Sequence, residues 1–286
     1  MFKKIFVEIT NRCNLACDFC PASRRPKADM DPGAFALLLP QLAPYTNHLS
    51  LHVLGEPLLH PHFFKLLDLC HSQGLQVNLT TNGTLLPRHG AMLLGAMAPR
   101  QINISLHSVS GRKSGFDPAG YLEGVLAFSR LAADRGVIVS LRIWDLPPTP
   151  ARDGGRWQEA VLSRLDAYFS LPHSLGDVVA TGQGIRLAER IFLSQKELFD
   201  WPTLSAPDRG DRGTCRGLRD QVAILVDGTV VPCCLDAAGN IPLGNAFLQS
   251  FAEIIDGERA VTIARGFRER KVLAELCRRC SFRERF

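Results

Sequence analysis

The chain has 286 residues, 46% hydrophobic and 21% charged, with a formal net charge of +5. This composition excludes disorder and suits a folded protein with one main core and a small appended domain. Its longest apolar stretches, such as Phe35 to Leu39 and Val222 to Val226, fall far short of the roughly 18 residues of a membrane span, which excludes a helical membrane protein.

The first strand is expected at Ile5 to Thr10, where Glu8 and the nearby Arg12 break the apolar run that a signal peptide would need. A cytoplasmic location is expected. The cysteine loop Cys13-x3-Cys17-x2-Cys20 follows, then a helical pattern at Gly33 to Leu42. A second strand at Leu49 to Leu54 leads into Gly55-Glu56-Pro57, and a helix at His62 to Gln73 carries Cys70 on its apolar face, as a small core residue. The third strand, Gln76 to Thr80, runs into Thr81-Asn82-Gly83 and a helix at Leu85 to Met97. The fourth, Gln101 to Leu106, ends in Ser105-Leu106-His107-Ser108. A helix at Tyr121 to Arg135 and a strand at Val137 to Ile143 complete the series.

Strands alternating with helices require parallel pairing through right-handed crossovers, closing into a barrel or a doubly wound sheet. In either architecture the loops after the strands meet at one rim, where ligands bind. The cysteine loop and the Gly-Glu-Pro, Thr-Asn-Gly and Ser105 motifs all take such positions. His52, His60, His62 and His107 lie on strands or at a helix start and are not expected to bind metal.

Beyond the Pro- and Gly-dense stretch Pro147 to Gly155, a second turn-rich segment, Trp201 to Gly213, reads as a linker. It divides the chain into residues 1–205 and 206–286. The second part opens with a hairpin, Gln221 to Val226 and Thr229 to Cys233, whose Asp227-Gly228 supplies the positive backbone angles of a tight turn. Ser250-x-x-Glu253 is a capping box that starts a helix. The arginine-rich end lacks interleaved aromatics, so it reads as a solvated helix face and no nucleic-acid partner is expected.

Nine cysteines in clusters, in a chain with no secretory signal, point to metal and not to disulfides. Cys13, Cys17 and Cys20 are soft thiolates suited to iron–sulfur ligation, with a zinc knuckle as the alternative. Three ligands leave one position of a four-iron cluster open, which favours reactivity over a closed structural site.

With Phe19 just before the third cysteine, this loop resembles that of the radical S-adenosylmethionine (SAM) superfamily. The resemblance implies a partial (β/α)6 barrel of parallel strands and a [4Fe–4S] cluster on Cys13, Cys17 and Cys20 whose open iron chelates SAM. It also implies backbone contacts near Phe19 to adenine, reductive cleavage of SAM to a 5′-deoxyadenosyl radical, and a flavodoxin- or ferredoxin-type electron donor. Gly55, Glu56 and Pro57 resemble the family's Gly-Gly-Glu-Pro element for the SAM amino group, with Leu54 in the place of its first glycine. Asn82, Ser105 and Arg142 fall where the family places ribose or carboxylate contacts, and turn formation explains Asn82 and Ser105 equally well.

Cys215, Cys233 and the pair Cys277-x2-Cys280 can converge on a second metal group, and about seventy residues bury too little core to fold without such a staple. This order resembles the SPASM and twitch auxiliary-cluster domains, implying a small hairpin-plus-helix domain with one auxiliary [4Fe–4S] cluster. Adjacent residues on an extended chain point oppositely, so Cys234 is expected to be a free thiol beside that cluster. It is either a packing residue, a residue exchanging roles with Cys233, or a hydrogen donor to a substrate radical, as the resemblance to twitch-type epimerases implies.

The expected protein is thus an α/β radical enzyme abstracting hydrogen from a peptide or small polar substrate, with Arg24, Arg25, Arg142, Trp144 and Asp145 as candidate substrate-bordering residues. A non-catalytic two-cluster electron carrier and a zinc-stabilised nucleic-acid binder are the rivals.

Overall fold

The structure is a computed structural model that describes residues 1–21, 24–109, 116–145, 155–172, 174–176 and 184–286. The stretch from 147 to 155 falls, apart from Gly155, outside the described residues, as does the side chain of Asp145. The first half of the chain forms β1 (Lys4–Val7), α1 (Pro32–Leu42), β2 (His48–Ser50), α2 (Phe63–Ser72), β3 (Gln76–Thr81), α3 (Leu86–Gly95), β4 (Pro99–Ser105), α4 (Pro118–Asp134) and β5 (Ile138–Asp145). There follow α5 (Arg156–Phe169), β6 (Ile185–Ala188), β7 (Ile191–Glu197), β8 (Gln221–Ile224), β9 (Thr229–Val231), β10 (Gly244–Asn245), α6 (Phe251–Ile255), α7 (Glu258–Arg268) and α8 (Glu275–Arg278).

Local chemistry sets the helix starts. Asp31 accepts from the amides of Gly33 and Ala34 and places Pro32 in the first turn of α1. Ser250 and Glu253 form the expected reciprocal capping box at α6. In β3 buried and more accessible residues alternate, as a half-buried strand requires.

The chain divides into two compact units, Met1–Val77 with Phe199–Phe286, and Asn78–Leu198. In the first unit β1 lies between β2 and β8 and is parallel to both, while β9 and β10 continue antiparallel from β8. In the second unit β4, β5 and β7 are parallel, and β6 returns antiparallel on β7. The sixth unit is therefore a β-hairpin in place of a strand–helix pair. The hairpin assigned to the small C-terminal part adds its first strand to β1, so the division by compactness runs differently from the boundary at 205/206.

The segment Trp201 to Gly213, read as a linker, is tied to the C-terminus. Its Asp208 pairs with Arg278, Arg209 with Glu284, and the Val272 amide donates to the Asp211 carbonyl at 2.6 Å. Much of the basic tail is thereby used inside the unit, and it does not form one continuous solvated face. In the hairpin turn only Gly228, at φ 84°, takes the left-handed region, with its amide on the Leu225 carbonyl. A turn closed by one left-handed glycine replaces the expected pair of positive angles.

Glu8 organises the first unit. The side chain is fully buried, and Arg25 grips both its oxygens at 2.7 Å. Glu8 also accepts from the amides of Leu54, at 3.2 Å, and Val226, at 3.1 Å. The predicted second strand and first hairpin strand both stop short, at Ser50 and Ile224, and the carboxylate takes these two amides beyond their ends. Arg25 additionally donates to the Ala237 carbonyl at 2.8 Å.

Removing one partner of a buried ion pair leaves the other charge uncompensated, at a cost of about 3–5 kcal/mol. Glu8→Ala and Arg25→Ala should each lower the unfolding free energy, read from urea denaturation of the cluster-free protein, by that amount, with the double variant close to either single one. Additive losses would show that the two residues act separately.

Candidate functional site

The cysteine loop leaves the end of β1 and is held from both sides. Thr10 accepts the Arg12 amide at 3.1 Å and donates to Asp29 at 2.6 Å, and Asn11 bridges to Pro26 and Ala28. Within the loop Cys13 and Cys20 are exposed and Cys17 is half-buried. The Cys13 sulfur accepts the Leu15 amide at 3.4 Å, a bond that favours thiolate. Burial pushes the Cys17 thiol up to about 12, with Cys13, Cys20 and Asp18 adding to the rise, and burial followed by Cys13 raises Cys20 as well. Three thiols gathered on one short loop form a donor set that a cationic group would deprotonate and bind.

The Gly-Glu-Pro motif packs directly on this loop. Gly55 adopts φ 80°, and a Cβ there would lie 2.5 Å from the Thr10 carbonyl oxygen and 2.8 Å from that of Arg12. The Glu56 amide donates to the Arg12 carbonyl at 2.8 Å. Glycine is thus required at position 55 both for its backbone angle and for this contact. Leu54 is not among the described residues with positive φ, so replacing the family's first glycine costs no backbone strain here. Glu56 and Pro57 are buried, with Glu56 accepting the Leu58 amide at 3.2 Å.

In the second unit the Asn82 side chain accepts the Thr84 amide and hydroxyl, at 2.9 and 2.6 Å, while its carbonyl accepts the Tyr121 hydroxyl at 2.8 Å. Turn formation therefore occupies its side-chain oxygen. Ser105 and Arg142 are register partners on β4 and β5, and burial lowers Arg142 to about 10. Beside them His107 stacks on Trp144, with centroids 4.4 Å apart and planes at 11°, and its Nδ1 lies 3.2 Å from the Arg142 carbonyl. No role for His107 was legible along the chain, because a stack between non-adjacent residues depends on strand register.

The distant cysteines meet in the first unit. Cys215, Cys233, Cys277 and Cys280 line one cavity, together with Asp236 and Arg283. The Cys215 sulfur accepts the Gly217 amide at 3.4 Å, and the amides of Phe282 and Arg283 favour the Cys280 thiolate. Burial raises all four thiols, Cys233 and Cys277 furthest, and thiol neighbours raise Cys233, Cys277 and Cys280 further. Backbone donors aimed at sulfur, with several thiols in one buried space, fit a thiolate-ligated metal group.

Cys234 is not in the lining of this cavity. It packs instead against the cluster of Phe6, Val53, Leu54, Ala223, Leu225, Val231 and Ala237. Burial is the main cause that pushes its thiol up to about 12. Cys70, also raised to about 12 by burial, is a core residue as expected. Among the described residues no three His, Cys, Asp or Glu side chains converge as ligands of a single ion.

Comparisons with known proteins cover both cysteine-bearing regions. Residues 7–153 match the family model of the radical SAM superfamily, and residues 215–281 match that of SPASM, an iron–sulfur cluster-binding domain. The S-adenosyl-L-methionine-dependent 2-deoxy-scyllo-inosamine dehydrogenase of Niallia circulans is 34% identical over 86 residues, 28% of this chain and 30% of that protein. A tungsten-containing aldehyde ferredoxin oxidoreductase cofactor-modifying protein of Pyrococcus furiosus is 32% identical over 88 residues, 29% of this chain and 25% of its own length. The matched region thus spans about a quarter to a third of these relatives.

Among solved structures, BtrN in complex with AdoMet and 2-DOIA superposes with a TM-score of 0.56 at 15% identity, covering 98% of this chain and 93% of BtrN. Streptococcus suis SuiB bound to the precursor peptide SuiA gives 0.60 at 15% identity, covering 98% of this chain and 71% of SuiB. At such identities the likeness shows the fold, a mixed α/β protein with mostly parallel strands, consistent with a partial barrel.

Burial lowers His107 from 6.5 to about 4, with the nearby Arg142 charge acting in the same direction. Above pH 6.5 the imidazole is neutral folded or unfolded, whereas between 6.5 and about 4 only the unfolded chain binds the proton. Stability should therefore fall with pH across that window, by about 3 kcal/mol in total. Urea midpoints against pH for wild type and His107→Phe, which keeps a ring for Trp144, test this, and the variant's profile should be flatter.

Proposed function

Since the chain belongs to the radical SAM superfamily and carries a SPASM iron–sulfur domain, we propose that it dehydrogenates a small polar molecule or peptide by hydrogen abstraction. Its cofactors are a [4Fe–4S] cluster with SAM and auxiliary iron–sulfur. When bound, the first cluster supplies the electron that cleaves SAM to methionine and a 5′-deoxyadenosyl radical.

One contrast within the first unit carries the reading. Three thiols stand on a largely exposed loop after β1, and four line a buried cavity. Cys13, Cys17 and Cys20 would hold the cluster that keeps an open iron, and Cys215, Cys233, Cys277 and Cys280 one closed auxiliary cluster. Gly55, Glu56 and Pro57 would receive the SAM amino group, a role supported by their seating against Thr10 and Arg12. Phe19, Asn82, Ser105 and Arg142 remain proposed contacts to the rest of SAM. An electron carrier would need neither the open position nor this loop. A functional division into a core of residues 1–205 and an auxiliary part of 206–286 accompanies the reading, with a flavodoxin- or ferredoxin-type protein as reductant.

Dehydrogenation is favoured by the likeness in sequence to the inosamine dehydrogenase. Cys234 supports a second reading, epimerisation. Burial holds it as a neutral thiol, and only an intact S–H bond can return a hydrogen atom to a substrate radical.

Anaerobically reconstituted protein should carry about eight irons per chain and, with dithionite and SAM, form 5′-deoxyadenosine. Cys17→Ala should abolish that product and lose about four irons, while Cys233→Ala should lose the other four or so and keep SAM cleavage. An intact, reduced N-terminal cluster yielding no deoxyadenosine would favour the electron-carrier role.

Cys234→Ala should keep the full iron content and SAM cleavage, because its side chain packs outside the cavity of the other four cysteines. A drop to half the wild-type iron would make Cys234 a ligand.

A further inference from the structure

Arg283 is 6% exposed and lines the cavity of the four cysteines. Its outer nitrogens are committed to backbone: Nη1 donates to the Arg212 carbonyl at 2.7 Å, and Nη2 to those of Arg209 and Gly210 at 2.8 Å. Gly213 makes room for this arrangement, since a Cβ there would come within 2.5 Å of Nη1. Nε, also a donor, is buried and has no acceptor. Among the described residues no carboxylate forms an ion pair with this guanidinium.

A buried guanidinium with carbonyl partners only is costly, because carbonyls satisfy its protons but leave its charge uncompensated. A four-iron cluster on four thiolates carries net negative charge, and its sulfurs accept hydrogen bonds. Nearby positive charge favours the more negative, reduced form, so such a donor raises the cluster's reduction potential.

We propose that Arg283 is the internal counter-charge and Nε–H donor of the cluster held by Cys215, Cys233, Cys277 and Cys280, and that it sets the potential of that cluster. The proposal rests on the assignment of those four cysteines to an auxiliary cluster. It makes Arg283 a positioning and tuning residue with no contact to substrate.

The test uses the reconstituted two-cluster protein labelled with arginine carrying 15N at Nε. Pulsed electron paramagnetic resonance of the reduced auxiliary cluster should reveal a 15N coupling in the wild type that disappears in Arg283→Lys. This distinguishes Arg283 from Arg279, whose Nε is also buried without an acceptor. In a redox titration Arg283→Gln should shift the auxiliary cluster to a more negative potential and leave the N-terminal cluster unmoved, and Arg283→Lys, which keeps the charge, should shift it less. A wild-type auxiliary cluster without Nε coupling, or a potential unaltered in Arg283→Gln, overturns the proposal. Wild-type protein binding only about four irons, all lost in Cys17→Ala, would instead overturn the four-cysteine assignment itself.

Discussion

The pair of the fully buried Glu8 with Arg25 is the constraint around which the first unit is assembled. A carboxylate at the end of a central strand is costly unless every lone pair is used, and here the guanidinium and two backbone amides use them. Those partners come from three further segments: the return of the cysteine loop, the approach to the Gly-Glu-Pro turn, and the end of β8. Through Arg25 the same pair reaches the Ala237 carbonyl, a few residues past Cys233 and Cys234. One ion pair thus fixes the chain on both sides of the cysteine loop and on both sides of Cys233. Because the interaction is directional, it defines geometry in a way that apolar packing alone would not.

The two sets of thiols solve opposite problems with similar donors. On the loop after β1, exposure and a missing fourth ligand leave room for a small molecule to approach, and Gly55 lets the neighbouring loop lie against the carbonyls of Thr10 and Arg12. Around the second set the aim is exclusion. The α7 and α8 region supplies an apolar cluster of Ile241, Ile263, Phe267, Val272 and Leu276, against which Cys215 and Cys277 pack. Burial there makes free thiolates costly, so a metal group that deprotonates them contributes directly to folding. Arg283 gives the same pocket a positive charge of its own, which is consistent with an anionic occupant.

Cys233 and Cys234 illustrate how a strand end separates neighbouring side chains. The bend and turn that follow β9 send one sulfur to the cavity and the other to the apolar cluster beside Phe6 and Leu54. Two adjacent cysteines thereby acquire different surroundings, and only one of them shares a cavity with Cys215, Cys277 and Cys280. The other keeps its proton in an apolar seat, a property with chemical use only if a radical forms within reach.

Local sequence settled whatever depends on neighbours within a few residues: the spacing of Cys13, Cys17 and Cys20, the strand–helix alternation, the Ser250 capping box, and the buried helical Cys70. It also paired Cys277 with Cys280, because one turn of chain fixes their separation. Strand ends were less legible, since Leu54 and Val226 look like continuing strand until the Glu8 carboxylate takes their amides. Only the tertiary structure decided that Glu8 is more than an interruption in an apolar run, that residues 201–213 bind the C-terminus, that His107 stacks on Trp144, and that Arg283 lines the cavity of the cysteines. Each of these is a contact between groups far apart in sequence, up to 218 residues for Glu8 and Val226. Such contacts depend on how the chain is routed, and a buried charge takes its meaning from the partner that the routing delivers.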